Sequence, residues 1–297
     1  MTDPLSNVLT VLGANVTRRT RLEAAGQWAL AFPVLNRLKF VAVLRGAAWL
    51  MLPGRDPQVV RAGDICLIGR TAFVVASDPA LSPVDGQTLY DKRDVVRLDG
   101  EDTVIIGGSL AVSPGNVDFL LDTLPGFLFV PRSSASSGAV TTILALLNAE
   151  GERDIMGGEI VSARLADVLL VEAIRAYAGS GENMGIGWLG ALSDPQLGRA
   201  LHAIHADIAQ PWTVRRLAGV AGMSRAAFSA AFTRRIGQSP LSYVRSWRLT
   251  IARAALARRD SDVASIASKV GYTSQSAFGY AFRRAFGMSP KAATRGR

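Results

Sequence analysis

The chain has 297 residues, 49% of them apolar and 19% charged, and a formal net charge of +9. This composition excludes a disordered chain and supplies core enough for about two domains. A single cysteine, Cys66, excludes an intrachain disulfide and a four-thiolate metal site and fits a reducing cytoplasm.

The opening MTDPLSNVLT has no basic region followed by an apolar run, so no export signal is expected. The longest stretch without charge, 133–149, is too rich in Ser, Thr and Ala to read as a membrane span. From Trp28 to Val112 short apolar runs alternate with turn chemistry. FVAVLRGAAWLML (Phe40–Leu52), VVRAGDICLIG (Val59–Gly69) and AFVVAS (Ala72–Ser77) read as strand-like, and PGRDP and RAGD as turns. Many short strands predict a sandwich or barrel. Asp64 reads as a turn residue closing a β-hairpin, and Cys66 as a small buried apolar side chain. Trp28, Trp49 and Phe73 are the candidates for lining a pocket in the barrel.

The period then changes. Ser137–Asn148 and Ile160–Tyr177 carry helical spacing, the second with Leu165, Val168, Leu169 and Ile174. GSGENMGIG (Gly179–Gly187) has the composition of a flexible joint. Both histidines of the chain, His202 and His205, follow it at a spacing of i, i+3. Two ligands do not close a metal site, and no histidine precedes residue 202, so a His-ligated metal is not expected.

Charge is unevenly divided along the chain. From Asp194 onward 17 Lys+Arg face 4 Asp+Glu, and before it 16 face 20, which leaves +13 on the C-terminal third and −4 on the rest. Such concentration of one sign points to a polyanionic partner. The same region writes one phrase twice, AAFSAAFTRRIGQSP (Ala226–Pro240) and SAFGYAFRRAFGMSP (Ser276–Pro290), at an offset of fifty. Upstream, LAGVAGMS (Leu217–Ser224) matches IASKVGYT (Ile266–Thr273) at an offset of forty-nine, so the second copy has one more residue in its turn. Each copy reads as a short helix, a glycine stop and a serine-capped second helix, a helix-turn-helix pattern. Phe228, Phe232 and Ile236, like Phe278, Phe282 and Phe286, fall at i, i+4, i+8 and form one buried stripe. The opposite faces offer Arg225, Ser229, Thr233 and Arg234, then Gln275, Ser276, Tyr280, Arg283 and Arg284. These are side chains suited to base edges and phosphates. Pro240–Arg258 predicts one helix of ~28 Å joining the two. That length sets two reading helices near one DNA turn apart, ~34 Å.

Two such units joined by PLSYVRSWRLTIARAAL resemble the AraC/XylS family of bacterial transcription regulators over 194–294, and VASIASKVGYTSQSAFGYAFRRAFGMSP resembles its signature. LRGAAWLMLPGRDPQVVRAGDICLIG resembles, less specifically, the cupin-like sensing domain of such regulators. The resemblance implies an α+β multidomain chain. A cupin-like β-barrel with trailing helices spans 1–180, a linker 181–193, and an all-α domain with two helix-turn-helix units 194–297. It implies base contacts from Ala226, Ser229 and Ala230 and from Gln275, Ser276 and Tyr280, with Arg225 beside them. Ser224, Thr233, Arg234, Arg235, Ser274, Arg283 and Arg284 are the phosphate candidates. The implied function is a cytoplasmic, one-component, sequence-specific regulator, an activator responsive to a small organic effector. Its implied partners are double-stranded DNA, RNA polymerase and a second copy through the N-terminal region, with no cofactor, no membrane and no enzymatic step. Two alternatives stand beside it: a barrel that serves only dimerisation, and a cupin-type enzyme fused to a DNA-binding domain, which the missing histidines oppose.

Overall fold

A computed structural model describes residues 3–113, 116–152, 156–180 and 187–294. Helix α1 (Pro4–Leu12) leads to strands β1 (Asn15–Ala24), β2 (Ala29–Phe32), β3 (Lys39–Arg45), β4 (Ala47–Met51), β5 (Gln58–Arg61), β6 (Ile65–Ile68), β7 (Phe73–Ala76) and β8 (Val84–Asp85). Helix α2 (Gly86–Tyr90), β9 (Val95–Leu98), β10 (Thr103–Ala111), α3 (Val117–Thr123) and β11 (Phe127–Val130) follow. The remainder is helical: α4 (Gly138–Gly151), α5 (Gly158–Gly179), α6 (Gly187–Ser193), α7 (Leu197–Ala206), α8 (Val214–Ala221), α9 (Arg225–Ile236), α10 (Pro240–Arg258), α11 (Val263–Lys269), α12 (Gln275–Phe286) and α13 (Pro290–Ala293). These elements form two compact units. One holds the eleven strands with α2, α4 and α5; the other gathers α1, α3 and α6 to α13.

The β unit is built from two sheets, ordered β11-β6-β3-β10-β1-β9 and β5-β4-β7-β2-β8. Alternation along the strands sends Val41, Val43 and Ile105 of the first sheet and Leu30, Leu50 and Val75 of the second into one shared apolar core. Each long apolar run of the sequence supplies one strand to each sheet. Phe40–Leu52 breaks at Gly46, which adopts φ +71° where a Cβ would meet the Asp102 carbonyl oxygen at 2.3 Å. Val59–Gly69 breaks at Gly63 and Asp64. The carboxylate of Asp64 accepts the amides of Arg61 and Arg132, both at 2.7 Å. The hairpin expected there is thus a corner between sheets, because β5 pairs only with β4 and β6 only with β3 and β11. Cys66 is buried on β6, and burial, reinforced by the nearby Asp64 charge, pushes its thiol pKa up. The helices expected at Ser137–Asn148 and Ile160–Tyr177 are present as α4 and α5.

The α unit begins with a segment that the sequence reading left without structure. Asp3 caps α1 by accepting from the Ser6 amide, Pro4 takes the first helical position, and Val8 and Leu12 are buried. Residues 187–193, expected to continue the flexible joint, form α6 with Trp188 fully buried. The Trp-Leu pair is a buried anchor that outweighs the glycines around it. The rest of that joint, 181–186, lies outside the described residues. Among the described residues no group of three His, Cys, Asp or Glu is placed to hold a metal ion, and no helix is long and apolar enough to cross a membrane.

Candidate nucleic-acid interface

The two readers, α8–α9 and α11–α12, are built by one local code. Thr213 caps α8, its hydroxyl accepting from the Arg216 amide at 3.1 Å, and Gly222 stops the helix at φ +68°. Asp262 does the same for α11 through the amides of Ala264 and Ser265, and Gly271 follows at φ +84°. Ser224 and Ser274 cap α9 and α12, accepting from Ala227 and Ala277 at 3.2 and 3.3 Å. Gly237 and Gly287 stop those helices in the left-handed region, Ser239 and Ser289 cap the next ones, and Pro240 and Pro290 open them. The twice-written Gly-x-Ser-Pro is therefore a helix stop followed by a helix start. Met223 alone separates Gly222 from Ser224, whereas Tyr272 and Thr273 separate Gly271 from Ser274. That is the extra residue of the second turn. Phe228, Phe232, Phe278 and Phe282 are fully buried, and the small Ala218 and Ala267 are buried at the helix crossings.

Helix α10 holds the readers together. From its middle, Arg248 donates to the carbonyls of Ile208 at 3.0 Å and Gln210 at 2.6 Å, just before α8. The same guanidinium donates to the Gly271 carbonyl at 3.1 Å, in the turn of the second reader. A Cβ at Gly271 would meet this guanidinium at 2.7 Å, so glycine serves both the backbone angle and the approach. Beside α9 lies a buried polar chain. The Trp188 Nε1–H can only donate, and it donates to the Tyr243 hydroxyl at 2.7 Å. The Tyr243 O–H then donates to His205 Nε2 at 2.7 Å, which leaves the His205 Nδ1–H for Asn7 Oδ1 at 3.1 Å. Burial, with a smaller contribution from the His202 charge, holds the His205 pKa down to about 3. The ring is neutral, as this donor order requires.

The outward faces carry the charge. All four acidic residues beyond residue 193 are committed to caps or pairs. Asp194 accepts the amides of Gln196 and Leu197 and faces Arg235 at 3.9 Å; Asp207 accepts from Gln210. Asp260 pairs with Arg258 at 3.0 Å, and Asp262 caps α11. None stands on α8, α9 or α12. Arg225, Arg234, Arg283 and Arg284 are exposed and form no ion pair among the described residues. Donors in this arrangement, uninterrupted by acid, are what a phosphate backbone attracts.

The β unit holds a cavity of about 90 Å³ between its sheets. Phe32 and Phe73 stack on its wall with ring centroids 4.8 Å apart. Arg18, Arg37, Lys39 and Tyr90 contribute its charged and titratable groups, and no carboxylate or imidazole is among the lining residues. Of the pocket candidates named from sequence, Phe73 lines this cavity. Trp28 is packed into the core, and Trp49, half-buried on β4, is outside the lining.

A cupin family model matches residues 3–179, and a helix-turn-helix domain model matches residues 217–296. An AraC-like transcription regulator of Streptomyces lividans is 35% identical over 293 residues, covering 97% of this chain and 96% of its own. The HTH-type transcriptional regulator AlkR of Acinetobacter baylyi is 30% identical over 302 residues, covering 97% of this chain and 98% of its own. The chain belongs to the AraC-type family of transcription regulators. As in that family, a cupin-like unit precedes a DNA-binding unit with two helix-turn-helix readers. The resemblance seen in the motifs alone is thus borne out over nearly the whole chain.

Within this AraC-type reader, Arg225, Ala226, Ala230, Thr233 and Arg234 are exposed on α9, and Ser229 is half-buried there. On α12, Gln275, Ser276, Arg283 and Arg284 are exposed, and Tyr280 is 71% exposed, unusually open for an aromatic side chain. Arg235 is half-buried and faces Asp194. Ser224 and Ser274 use their hydroxyl oxygens in capping, which leaves each O–H as a donor. His202 is exposed while His205 is buried, so the two do not share one environment. Sequence reading missed Arg248, His205 and Tyr243 as supports of the readers, since contacts between distant positions leave no local signature. It also missed Lys39 in the cavity, although the phase of β3 with Val41 and Val43 was a usable signal.

Proposed function

We propose that this regulator is a one-component switch in which α12 reads bases, α9 chiefly holds phosphates, and the β unit takes a small organic effector. The observation that carries the first part is the contrast between the two exposed faces. Gln275, Ser276 and Tyr280 offer hydrogen-bonding groups at the start of α12, where α9 offers Arg225 and two alanines. The cavity between the sheets supports the second part, with its stacked phenylalanines and cationic groups. Exposed Leu146 on α4 and Ile160, Val161 and Val168 on α5 support pairing of two copies through this unit. We assign the protein no reaction; RNA polymerase and a cytoplasmic setting follow from the regulatory reading.

The test is DNA selection from a random pool, followed by titration of full-length protein on the selected and a scrambled duplex at several salt concentrations. Preference for the selected duplex, with a log–log salt slope near −0.9 per contacted phosphate, is expected. Equal affinity for both duplexes would contradict sequence-specific reading. For the switch, an effector that tightens DNA binding tenfold must itself bind tenfold tighter in the presence of DNA.

A further inference from the structure

Lys39 is written at a core-facing position. Residues two apart on a strand share a face, so Lys39 points the same way as Val41 and Val43, both in the core between the sheets. The residue is only 8% exposed, and its Nζ makes no hydrogen bond among the described residues. Its neighbours are ring faces: Nζ lies 5.4 Å from the Phe32 centroid and 4.9 Å from that of Phe73. Arg18 and Arg37 add two more cations to the same cavity, and the lining contains no Asp or Glu. Arg18 is engaged by Asp94 at 3.1 Å and by the Tyr90 carbonyl, and Arg37 stands exposed. Lys39 is therefore the cation of this cavity that is buried without an acceptor among the described residues.

A buried ammonium without an acceptor is costly, and cation–π contact with two phenyl rings offsets only part of that cost. Such a group is retained against stability where a ligand supplies the missing charge. We propose that the cavity binds a small apolar monocarboxylate, its anionic group on Lys39 Nζ and its hydrocarbon body against Phe32 and Phe73. This inference rests on the effector reading above and adds the ligand's charge. A polyanion is disfavoured by the apolar wall formed by Leu22, Leu30, Val41, Val75 and Ile105. A neutral ligand would leave the ammonium uncompensated.

Burial, with the positive charge of Arg37 as a smaller cause, brings the Lys39 pKa down to about 8. The other charged or titratable groups facing the cavity are Arg18 on β1, Arg37 before β3 and Tyr90 on α2. Burial raises the pKa of Tyr90 above its usual range. Carboxylate affinity thus falls as the pH rises above about 8, where the free protein loses the Lys39 proton.

The experiment is calorimetric titration of the full-length protein at pH 7 with matched acids and amides: phenylacetate against phenylacetamide, hexanoate against hexanamide, and cyclohexanecarboxylate against its amide. At least one acid is expected to bind tenfold or more tighter than its amide. Lys39→Met and Lys39→Gln should reduce that preference to within twofold while the protein still melts cooperatively. The affinity of the preferred acid should drop between pH 8 and pH 10. If an amide binds as tightly as its acid, or if both variants keep the preference, the charge assignment falls and the cavity remains an organic-ligand site. If no acid or amide binds, the assignment and the effector reading fall together.

Discussion

The two readers share a plan and differ in what they show to solvent. Helices α9 and α12 each have 12 residues, a serine cap, a glycine stop and two fully buried phenylalanines four apart. Outside, α12 carries Gln275, Ser276 and Tyr280 where α9 carries Arg225, Ala226 and Ala230. Their supports differ as well. The buried core of the second reader is built from apolar side chains, Leu249, Leu256, Ile266, Val270, Phe278 and Phe282 among them. The first reader leans on the chain from Trp188 through Tyr243 and His205 to Asn7, with Phe119 tilted against the Tyr243 ring and Trp247 against the His205 ring. The residues that make a reader fold and the residues that make it read occupy opposite faces of one helix. One changes without the other, and a duplicated scaffold carries two kinds of contact.

Substitutions that break this comparison fall in a clear order of size. Phe282→Ala should cost ~3–5 kcal/mol, a large share of the stability of a small domain, and DNA binding should fall because the second reader loses its core. Circular dichroism melting decides the point: an unchanged midpoint with lost binding would move Phe282 from the core to the DNA surface. Tyr243→Phe should cost ~1–3 kcal/mol by leaving the Trp188 N–H and His205 Nε2 without partners. Its effect belongs to the first reader alone, and no change in melting would remove the polar chain as a support.

The same chain makes the first reader sensitive to acid. His205 stays neutral in the folded protein down to about pH 3, while in the unfolded chain it protonates near its ordinary value of 6.5. Its contribution to stability is complete above about pH 6.5 and is lost progressively as the pH falls towards 3. Calorimetric melting between pH 7 and pH 4 should show a steeper loss in the wild type than in His205→Gln. Identical slopes would place a charged or exposed imidazole at this position.

The reader half was legible in the sequence because its signals are local. The serine cap, the glycine stop and the phenylalanine stripe of each reading helix lie within one short segment, Ser224–Gly237 and Ser274–Gly287, and the repeat doubles each of them. Helix α10 was legible for the same reason, with Ser239 and Pro240 marking its start. The β unit was legible only in kind. Phe40–Leu52 and Val59–Gly69 look like single runs because both of their strands are apolar, and the sheet change at Gly46 and Asp64 depends on partners far away in sequence. Helix α1 carried a local signal in Asp3 and Pro4 that went unread. The cavity was sought through Trp28 and Trp49 on size alone. Lys39 escaped because a lysine in a strand ordinarily marks solvent, and only its phase with Val41 and Val43 says otherwise.

The smallest substitutions give the sharpest test of the division between the readers. Gln275→Ala and Arg234→Ala remove one outward side chain each, from α12 and α9, and leave caps and core intact. The measurement is the affinity of wild type and both variants for the selected duplex and for a scrambled duplex at several salt concentrations. We predict that Gln275→Ala weakens the selected duplex by ~1–3 kcal/mol and leaves the scrambled one nearly unchanged. We predict that Arg234→Ala weakens both alike and lowers the salt slope by about 0.9. Equal losses on the two duplexes for Gln275→Ala, or a loss confined to the selected duplex for Arg234→Ala, would contradict the account.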